Sequence, residues 1–291
     1  MELAAAIGKA LGREVVASSQ HRVLGGHIYQ CFGFETASGR IFVKQGGADA
    51  LPVFEAEAAG LAEIARANAL RVPNVLSVSL AGEIAFLALE WIDLKEADWR
   101  SEQLLGERLA LQHRTTRASF GWDRDNAIGS TPQSNRPCAD WIEFFREQRL
   151  LPQLAMAERN GAGKGVIDGG QRLCERLDAF FEGYRPVPSL LHGDLWEGNR
   201  GADGSGEPVV FDPAVYFGDR EADLAMTRLF GGFRRGFYAA YRSAWPLQAG
   251  AEVRVTLYNL YHVLNHFNIF GGGYLWQAQG MIQRLLAETK H

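Results

Sequence analysis

The sequence predicts an α+β protein of two lobes. A small antiparallel-sheet lobe with one helix spans residues 1–92, and a larger, mainly helical lobe spans 93–291. Three observations predict this. Short β-prone runs broken by glycine turns fill the first third. From about Asp93 the apolar pattern takes on the helical period. A strand-like patch over 189–195 and 208–212 then interrupts the helices.

The elements follow in order. The N-terminus, MELAAAIGKALGRE, sets small apolar residues behind acidic Glu2 and reads as an amphipathic helix, not a signal peptide. Residues 15–18, 22–24, 28–36 and 40–44 are β-prone, with turns at Gly25-Gly26 and Ala37-Ser38-Gly39. Pro52 opens a helix that carries Phe54, Ala58, Leu61 and Ala65 at helical spacing, since a missing N–H costs little in a first turn. Pro73 ends that segment. Residues 75–80 and 84–90 form a hairpin about Ala81-Gly82. In the second lobe Leu104, Leu105, Leu109 and Gln112 mark one helix. Asp140 caps another bearing Trp141, Phe144, Phe145 and Gln148, and Leu173, Leu177, Phe180 and Tyr184 mark a third. The glycine-rich stretches 161–170 and 201–206 read as mobile loops.

Composition narrows the function. Of 291 residues, 47% are hydrophobic, enough for a sizeable core. The formal net charge of -4 argues against a nucleic-acid binder, which would carry a basic excess. Apolar runs such as residues 84–89 are far too short to span a bilayer. Cys31, Cys138 and Cys174 form no CxxC pair, which predicts a reducing, cytoplasmic setting and no zinc site.

The stretch that carries chemistry is Leu190-Leu191-His192-Gly193-Asp194-Leu195-Trp196-Glu197-Gly198-Asn199, with Asp212 ending the apolar run Val209-Val210-Phe211. An Asp five residues before an Asn, followed by an Asp at a strand end, is the order of a kinase catalytic loop and its metal-binding segment. Phosphoryl transfer needs a carboxylate to orient and deprotonate the attacking hydroxyl, and oxygen ligands to hold Mg²⁺ on the nucleotide phosphates. Asp194 suits the first role; Asn199 and Asp212 suit the second. Upstream, Lys44 ends the strand-like Ile41-Phe42-Val43, as the phosphate-pairing lysine of kinases does. Glu57 is its expected partner, preferred over Glu55 because Ala58 and Leu61 mark the packed side. Gly25 and Gly26 form the expected phosphate-covering turn. Glu90, Trp91 and Ile92 read either as an inter-lobe hinge that meets adenine or as a plain strand end. The loop lacks the Arg before its Asp, and no Ala-Pro-Glu follows Asp212, so the pattern is that of a small-molecule kinase without a phosphorylation switch.

With these residues in view, the sequence resembles the fructosamine (ketosamine) kinases. The similarity runs through His192–Asn199 and Phe211-Asp212-Pro213-Ala214-Val215-Tyr216, then Arg220-Glu221-Ala222-Asp223-Leu224, Leu229-Phe230-Gly231-Gly232-Phe233 and Trp245-Pro246-Leu247. It continues through Leu257-Tyr258-Asn259-Leu260-Tyr261-His262 and residues 264–274, covering nearly the whole chain. The resemblance implies a bilobal protein-kinase-like fold and ATP-dependent, Mg²⁺-assisted phosphorylation of the third-carbon hydroxyl of a sugar attached to an amine. The phosphorylated adduct then falls apart and frees the amine. The implied partner is a small ketosamine or a glycated protein lysine, handled by a monomer or homodimer. The chain departs from the family at Glu197, where a small polar residue is usual, and at Asp219, often His. An extra carboxylate at either position is expected to favour a cationic amine substrate or to shift the sugar preference, which makes both substrate-site expectations. Trp196 is expected either to cover the sugar or to anchor the core. His27 replaces a Cys found in some relatives. His262 and His266 have metal-ligand spacing, but Val263 takes the place of the glutamate of HExxH and no third ligand is evident, so no metal site is expected there, and Tyr258, Tyr261 and Phe267 read as packing residues of the helical lobe. Two rival readings stay open: an aminoglycoside or amino-alcohol kinase, and a nucleotide-binding protein without turnover.

Overall fold

The computed structural model describes residues 2–23 and 28–289. The glycine turn at Gly25 and Gly26, with His27, lies outside the described residues.

Helix α1 (Glu2–Leu11) precedes strands β1 (Val15–Arg22), β2 (Gln30–Thr36) and β3 (Gly39–Gly47). Helix α2 (Leu51–Ala67) and strands β4 (Val75–Ala81) and β5 (Ile84–Glu90) complete the first lobe. The five strands form one antiparallel sheet in the order β1-β2-β3-β5-β4. Strand period explains its two faces. On β5, Phe86 and Ala88 join Leu3, Ile7, Phe34 and Val43 under α1, while Ala85, Leu87 and Leu89 point the other way into the core with Phe54, Leu61 and Ile64 of α2. A sheet covered on both faces needs apolar residues at successive β5 positions, which is why residues 84–89, before Glu90, read as a continuous apolar run. Both helices read from the sequence in this lobe are present, α1 at the N-terminus and α2 opened by Pro52. Asn68, in the left-handed conformation with φ 51°, ends α2.

The second lobe begins with α3 (Trp99–His113), capped by Asp98, whose carboxylate accepts from the N–H groups of Arg100 and Ser101. A small hairpin, β6 (Asn126–Ile128) and β7 (Thr131–Gln133), precedes α4 (Trp141–Phe145), which Asp140 caps as expected by accepting from Glu143 N. Helices α5 (Leu151–Arg159) and α6 (Lys164–Cys174) follow. Much of the glycine-rich stretch 161–170 is therefore helix, not loop. Gly169 and Gly170 sit on the buried face of α6, where a Cβ at Gly170 would meet Leu154 Cδ2 at 2.5 Å. Glycine is there for close helix packing, and the reading from composition alone missed it. The helix expected through Leu173 and Tyr184 is also shorter: α6 stops at Cys174 and a 3₁₀ turn covers Leu177–Phe181.

The strand-like patch resolves into two ribbons. Strands β8 (Ser189–Leu191), β9 (Arg200–Ala202), β10 (Pro208–Val210) and β11 (Tyr216–Gly218) pair as β8–β11 and β9–β10. Helices α7 (Glu221–Met226), α8 (Arg235–Ala244), α9 (Ala251–Phe270) and α10 (Tyr274–Glu288) finish the chain. Tyr258, Tyr261 and Phe267 of α9 are buried in the core, as their spacing predicts. No helix among the described residues is long and apolar enough to cross a membrane.

Candidate active site

The two short ribbons exist to hold a loop. Between β8 and β9 the chain runs through His192, Gly193, Asp194 and Trp196. Gly193 has φ +84°, and a Cβ there would meet Ala214 O at 2.0 Å, so only glycine lets this loop lie against the segment after Asp212. The backbone seals the approach: Ala214 N donates to His192 O and Phe211 N to Asn199 O. His192 is fully buried and donates through Nε2 to Phe211 O at 3.1 Å, while its Nδ1 accepts from Asp194 N. Burial lowers its pKa, so the ring stays a neutral brace.

Asp223, at the third position of α7, holds the loop from beneath. Its carboxylate accepts from His192 N at 2.7 Å and Gly193 N at 2.8 Å. It also accepts from His113 Nε2 at 3.1 Å, whose Nδ1 accepts from Tyr241 OH, to which Arg220 donates in turn. Burial works against the charge on Asp223, but His113 and the loop N–H groups hold its pKa below the usual carboxylate range.

Asn199 ties Asp194 to the segment that carries Asp212. Its Nδ2 donates to Asp194 O at 2.9 Å and Asp194 Oδ2 at 3.2 Å. That leaves Asn199 Oδ1 outside every hydrogen bond among the described residues. Desolvation, then the nearby Asp212 carboxylate, pushes Asp194 up to about 7. Asp212 itself has φ 56°, one of two non-glycine residues in the left-handed region among the described residues, and strain of this kind gathers at functional positions.

Lys44 joins the lobes. Its Nζ lies 2.7 Å from Glu57 Oε1 and 2.6 Å from Asp212 Oδ1, which confirms Glu57 over Glu55 as the neighbour of the lysine. Burial opposes the charge on Lys44, but Asp212 and Glu57 reverse that and hold its pKa above normal. One cation thus serves two carboxylates. Glu57 is pushed up by burial, with Lys44 pulling the other way and Asp212 adding to the rise.

Two cavities meet at Asn199 and Asp212. One, of about 430 Å³, lies under β5 and is lined by Phe42, Leu89, Glu90, Trp91, Ile92 and Phe211 among others. Its edge is braced by Arg71 and Asn74, which donate to Glu90, and by the Arg40 guanidinium 4.7 Å over the Trp91 ring. The other, of about 600 Å³, contains Lys44, Glu57, Asp194, Asn199 and Asp212 at one end and Trp196, Phe230, His266 and Tyr274 at the other.

Two expectations are corrected. Asp219 is fully buried and accepts from Tyr184 OH, Tyr258 OH and Glu221 N, so it anchors the start of α7 and lines neither cavity. Glu197 lines neither cavity, and its exposed side chain pairs with Arg200. Trp196 does line the larger cavity, set edge-on to Phe230 at 6.0 Å. Sequence reasoning missed Phe230 and Asp223, and it weighed His266 only as a metal ligand, which it set aside. Phe230 and Asp223 lie within the segments that carry the resemblance, which is the one signal that could have found them.

The family model described as Fructosamine kinase matches residues 1–288. A Synechocystis sp. protein named Probable ketoamine kinase is 40% identical over 285 residues, covering 98% of this chain and 96% of that protein. The chloroplastic Protein-ribulosamine 3-kinase of Oryza sativa subsp. indica is 40% identical, covering 91% of this chain and 78% of that protein. A solved structure from Thermobifida fusca, named as a candidate fructosamine-3-kinase, superposes with TM-score 0.88 at 33% identity, covering 98% of each chain. The aminoglycoside phosphotransferase APH(4)-Ia, solved with ADP and hygromycin B, superposes with TM-score 0.66 at 14% identity over 100% of each chain, which shows the shared kinase-like fold alone. The chain belongs to the fructosamine kinase family and is a phosphotransferase.

Proposed function

We propose that the protein transfers the γ-phosphoryl group of ATP to the third-carbon hydroxyl of ketosamines, either as small molecules or on glycated protein lysines. The observation that carries this reading is the position of Asp194. Its carboxylate stands where the Lys44–Asp212–Asn199 cluster meets the aromatic-walled cavity, so one group can face both a nucleotide phosphate and a sugar hydroxyl. Asp194 accepts the hydroxyl proton as the oxygen attacks phosphorus. Lys44 pairs with phosphate oxygens, and Glu57 keeps it aimed. Adenine lies in the smaller cavity against Glu90, Trp91 and Ile92. Relatives named ketoamine kinase and ribulosamine 3-kinase support this choice of acceptor.

The residues present fit Mg²⁺. Asn199 Oδ1 and Asp212 Oδ2 have no hydrogen-bond partner among the described residues, and magnesium prefers one or two protein oxygens plus phosphate and water. When bound there the ion neutralises charge on the transferring phosphate. A phosphate on the carbon beside the keto group leaves readily from the enaminol form, and hydrolysis then frees the amine. The three free cysteines suit a reducing, cytoplasmic setting.

The test is a coupled ADP-release assay with MgATP and a fructosyl- or ribulosyl-lysine derivative, with the product's phosphate position read by NMR. Phosphate on the third carbon is expected. ADP release that no ketosamine stimulates would remove this reading.

A further inference from the structure

We propose that the acceptor's amine is held by a neutral aromatic box centred on His266, with Phe230 and Tyr274 as its walls, and not by a carboxylate. This rests on the ketosamine reading above. It makes the box a specificity device that selects acceptors carrying a protonated secondary amine beside the sugar.

The tautomer of His266 is set by the fold. In the last turns of α9 its Nδ1 lies 2.8 Å from His262 O. A carbonyl oxygen only accepts, so Nδ1 carries the hydrogen and the neutral ring keeps its lone pair on Nε2. Nδ1 faces back along its own helix, which leaves Nε2 at the outer edge of a ring that lines the larger cavity. No hydrogen bond among the described residues uses Nε2. Burial also lowers the pKa of His266, which favours the neutral ring.

Aromatic rings surround it. The centroid of Phe230 lies 4.8 Å from that of His266, Tyr274 5.2 Å and Phe270 5.7 Å, and Trp196 reaches the group through Phe230. Ring faces attract an ammonium, most strongly where water is kept away. The carboxylates lining the cavity are Glu57, Asp194 and Asp212, all at the phosphate end, where Lys44 pairs two of them. Glu197 and Asp219, the two acids expected to attract the amine, line neither cavity. A cation beside the sugar therefore meets π faces and one nitrogen lone pair. A ketosamine nitrogen is a protonated secondary amine with two N–H groups. One hydrogen can donate to His266 Nε2 while the charge sits against Phe230 and Tyr274. An ether oxygen at the same place has neither the charge nor the hydrogen.

The experiment compares 1-deoxy-1-propylamino-fructose with its oxygen isostere, 1-O-propyl-fructose. KM and kcat are measured with MgATP, and binding by calorimetry with MgADP present. The intact protein is expected to prefer the amine by roughly tenfold or more in KM and in binding. His266→Leu and Phe230→Leu should each shrink that preference, with the rise in KM for the amine exceeding any fall in kcat. His266→Gln keeps an acceptor atom and should retain more of the preference than His266→Leu; it also serves if the leucine variant fails to fold. Equal handling of amine and ether by the intact protein, or a preference untouched in all the variants, would overturn the proposal. Selective binding of the amine without its phosphorylation would uphold the box and remove the ketosamine-kinase reading. If neither compound binds, both fail.

Discussion

Lys44 Nζ sits between two carboxylates contributed by different lobes, 2.7 Å from Glu57 and 2.6 Å from Asp212. The pair with Glu57 is almost dry, with side-chain exposures of 7% and 10%, while the Asp212 side chain is 41% exposed. The contact with Asp212 is thus the one that a nucleotide phosphate and a metal can displace, leaving Lys44 aimed by Glu57 alone. Under the proposed function, Lys44→Met removes the fixed positive charge from the site of developing phosphate charge. Its kcat/KM is expected to fall by about 10²–10³-fold, the usual loss for a preorganised electrostatic contact. Steady-state kinetics across ATP concentrations check it, and a loss below tenfold would remove Lys44 from the phosphate site.

Asp194→Asn is expected to lower kcat by roughly 10²–10⁴-fold while nucleotide affinity stays close to normal, because the variant loses the base and none of the nucleotide contacts. Stability should move the opposite way. In the folded protein, burial and Asp212 push Asp194 up to about 7 from an ordinary value of 3.8. The folded state then holds the proton more tightly than the unfolded chain between those values, so this group's contribution to stability falls as pH rises from about 4 to about 7. Asparagine does not ionise. Without metal or nucleotide, Asp194→Asn should therefore gain melting temperature over the parent at pH 8, by roughly 2–4 °C for each kcal/mol relieved, and gain less at pH 5. Melting curves at the two pH values decide it, and an equal difference at both would show that Asp194 is not destabilised by its charge.

This part of the site was legible in the sequence because it is local. Asp194 and Asn199 are five residues apart, and Asp212 follows Asn199 by 13. Lys44 and Glu57 are also separated by 13, spanning one strand end and the first turns of one helix. Both are short paths in which spacing dictates position. The misreadings share a cause: nearness along the chain says little about where a side chain points. Asp219 follows Asp212 closely, yet the chain turns inward there to begin α7, and two tyrosine hydroxyls take up its carboxylate. Glu197 adjoins Trp196, but its 3₁₀ turn aims it at Arg200. His266 reaches the cavity only because of how α9 packs against α7, α5 and α10, a tertiary fact that helical spacing does not carry. The glycines of α6 misled for a related reason, since glycine marks close packing as well as turns.

Asp223 is expected to behave as a positioning residue. Asp223→Ala leaves the buried N–H groups of His192 and Gly193 without their acceptor, a loss of roughly 2–6 kcal/mol at about 1–3 kcal/mol for each group. Asp223→Asn retains one acceptor oxygen. It should lower kcat through a looser loop while the KM for ATP barely changes, since Asp223 lines neither cavity. Urea midpoints and steady-state kinetics on the two variants check the pair of outcomes. An asparagine variant with normal kcat would mean that the loop holds its shape without this support.

Ketosamines are expected to beat aminoglycosides as substrates, although an aminoglycoside phosphotransferase shares the fold. A polycation needs several carboxylates at close quarters, because a single exposed charge contributes little. From Leu224 to the end the chain has two acids, Glu252 and Glu288, against seven basic residues, and Glu252 is already paired with Arg228. The cavity is walled by the aromatic residues Trp196, Phe230, Phe270 and Tyr274, and its only lining carboxylates among the described residues are Glu57, Asp194 and Asp212, two of which pair with Lys44. A cavity of about 600 Å³ walled in this way suits one sugar and one amine better than a rigid cluster of aminated rings. The kcat/KM for a fructosyl- or ribulosyl-amine should therefore exceed that for kanamycin by at least about tenfold, the ratio that a single cation–aromatic contact of ordinary strength supports. Expression in a sensitive bacterial strain should leave its kanamycin tolerance unchanged. The reverse order of kcat/KM on purified protein with MgATP would show that the aromatic wall does not set the choice of acceptor, and would favour an aminoglycoside kinase.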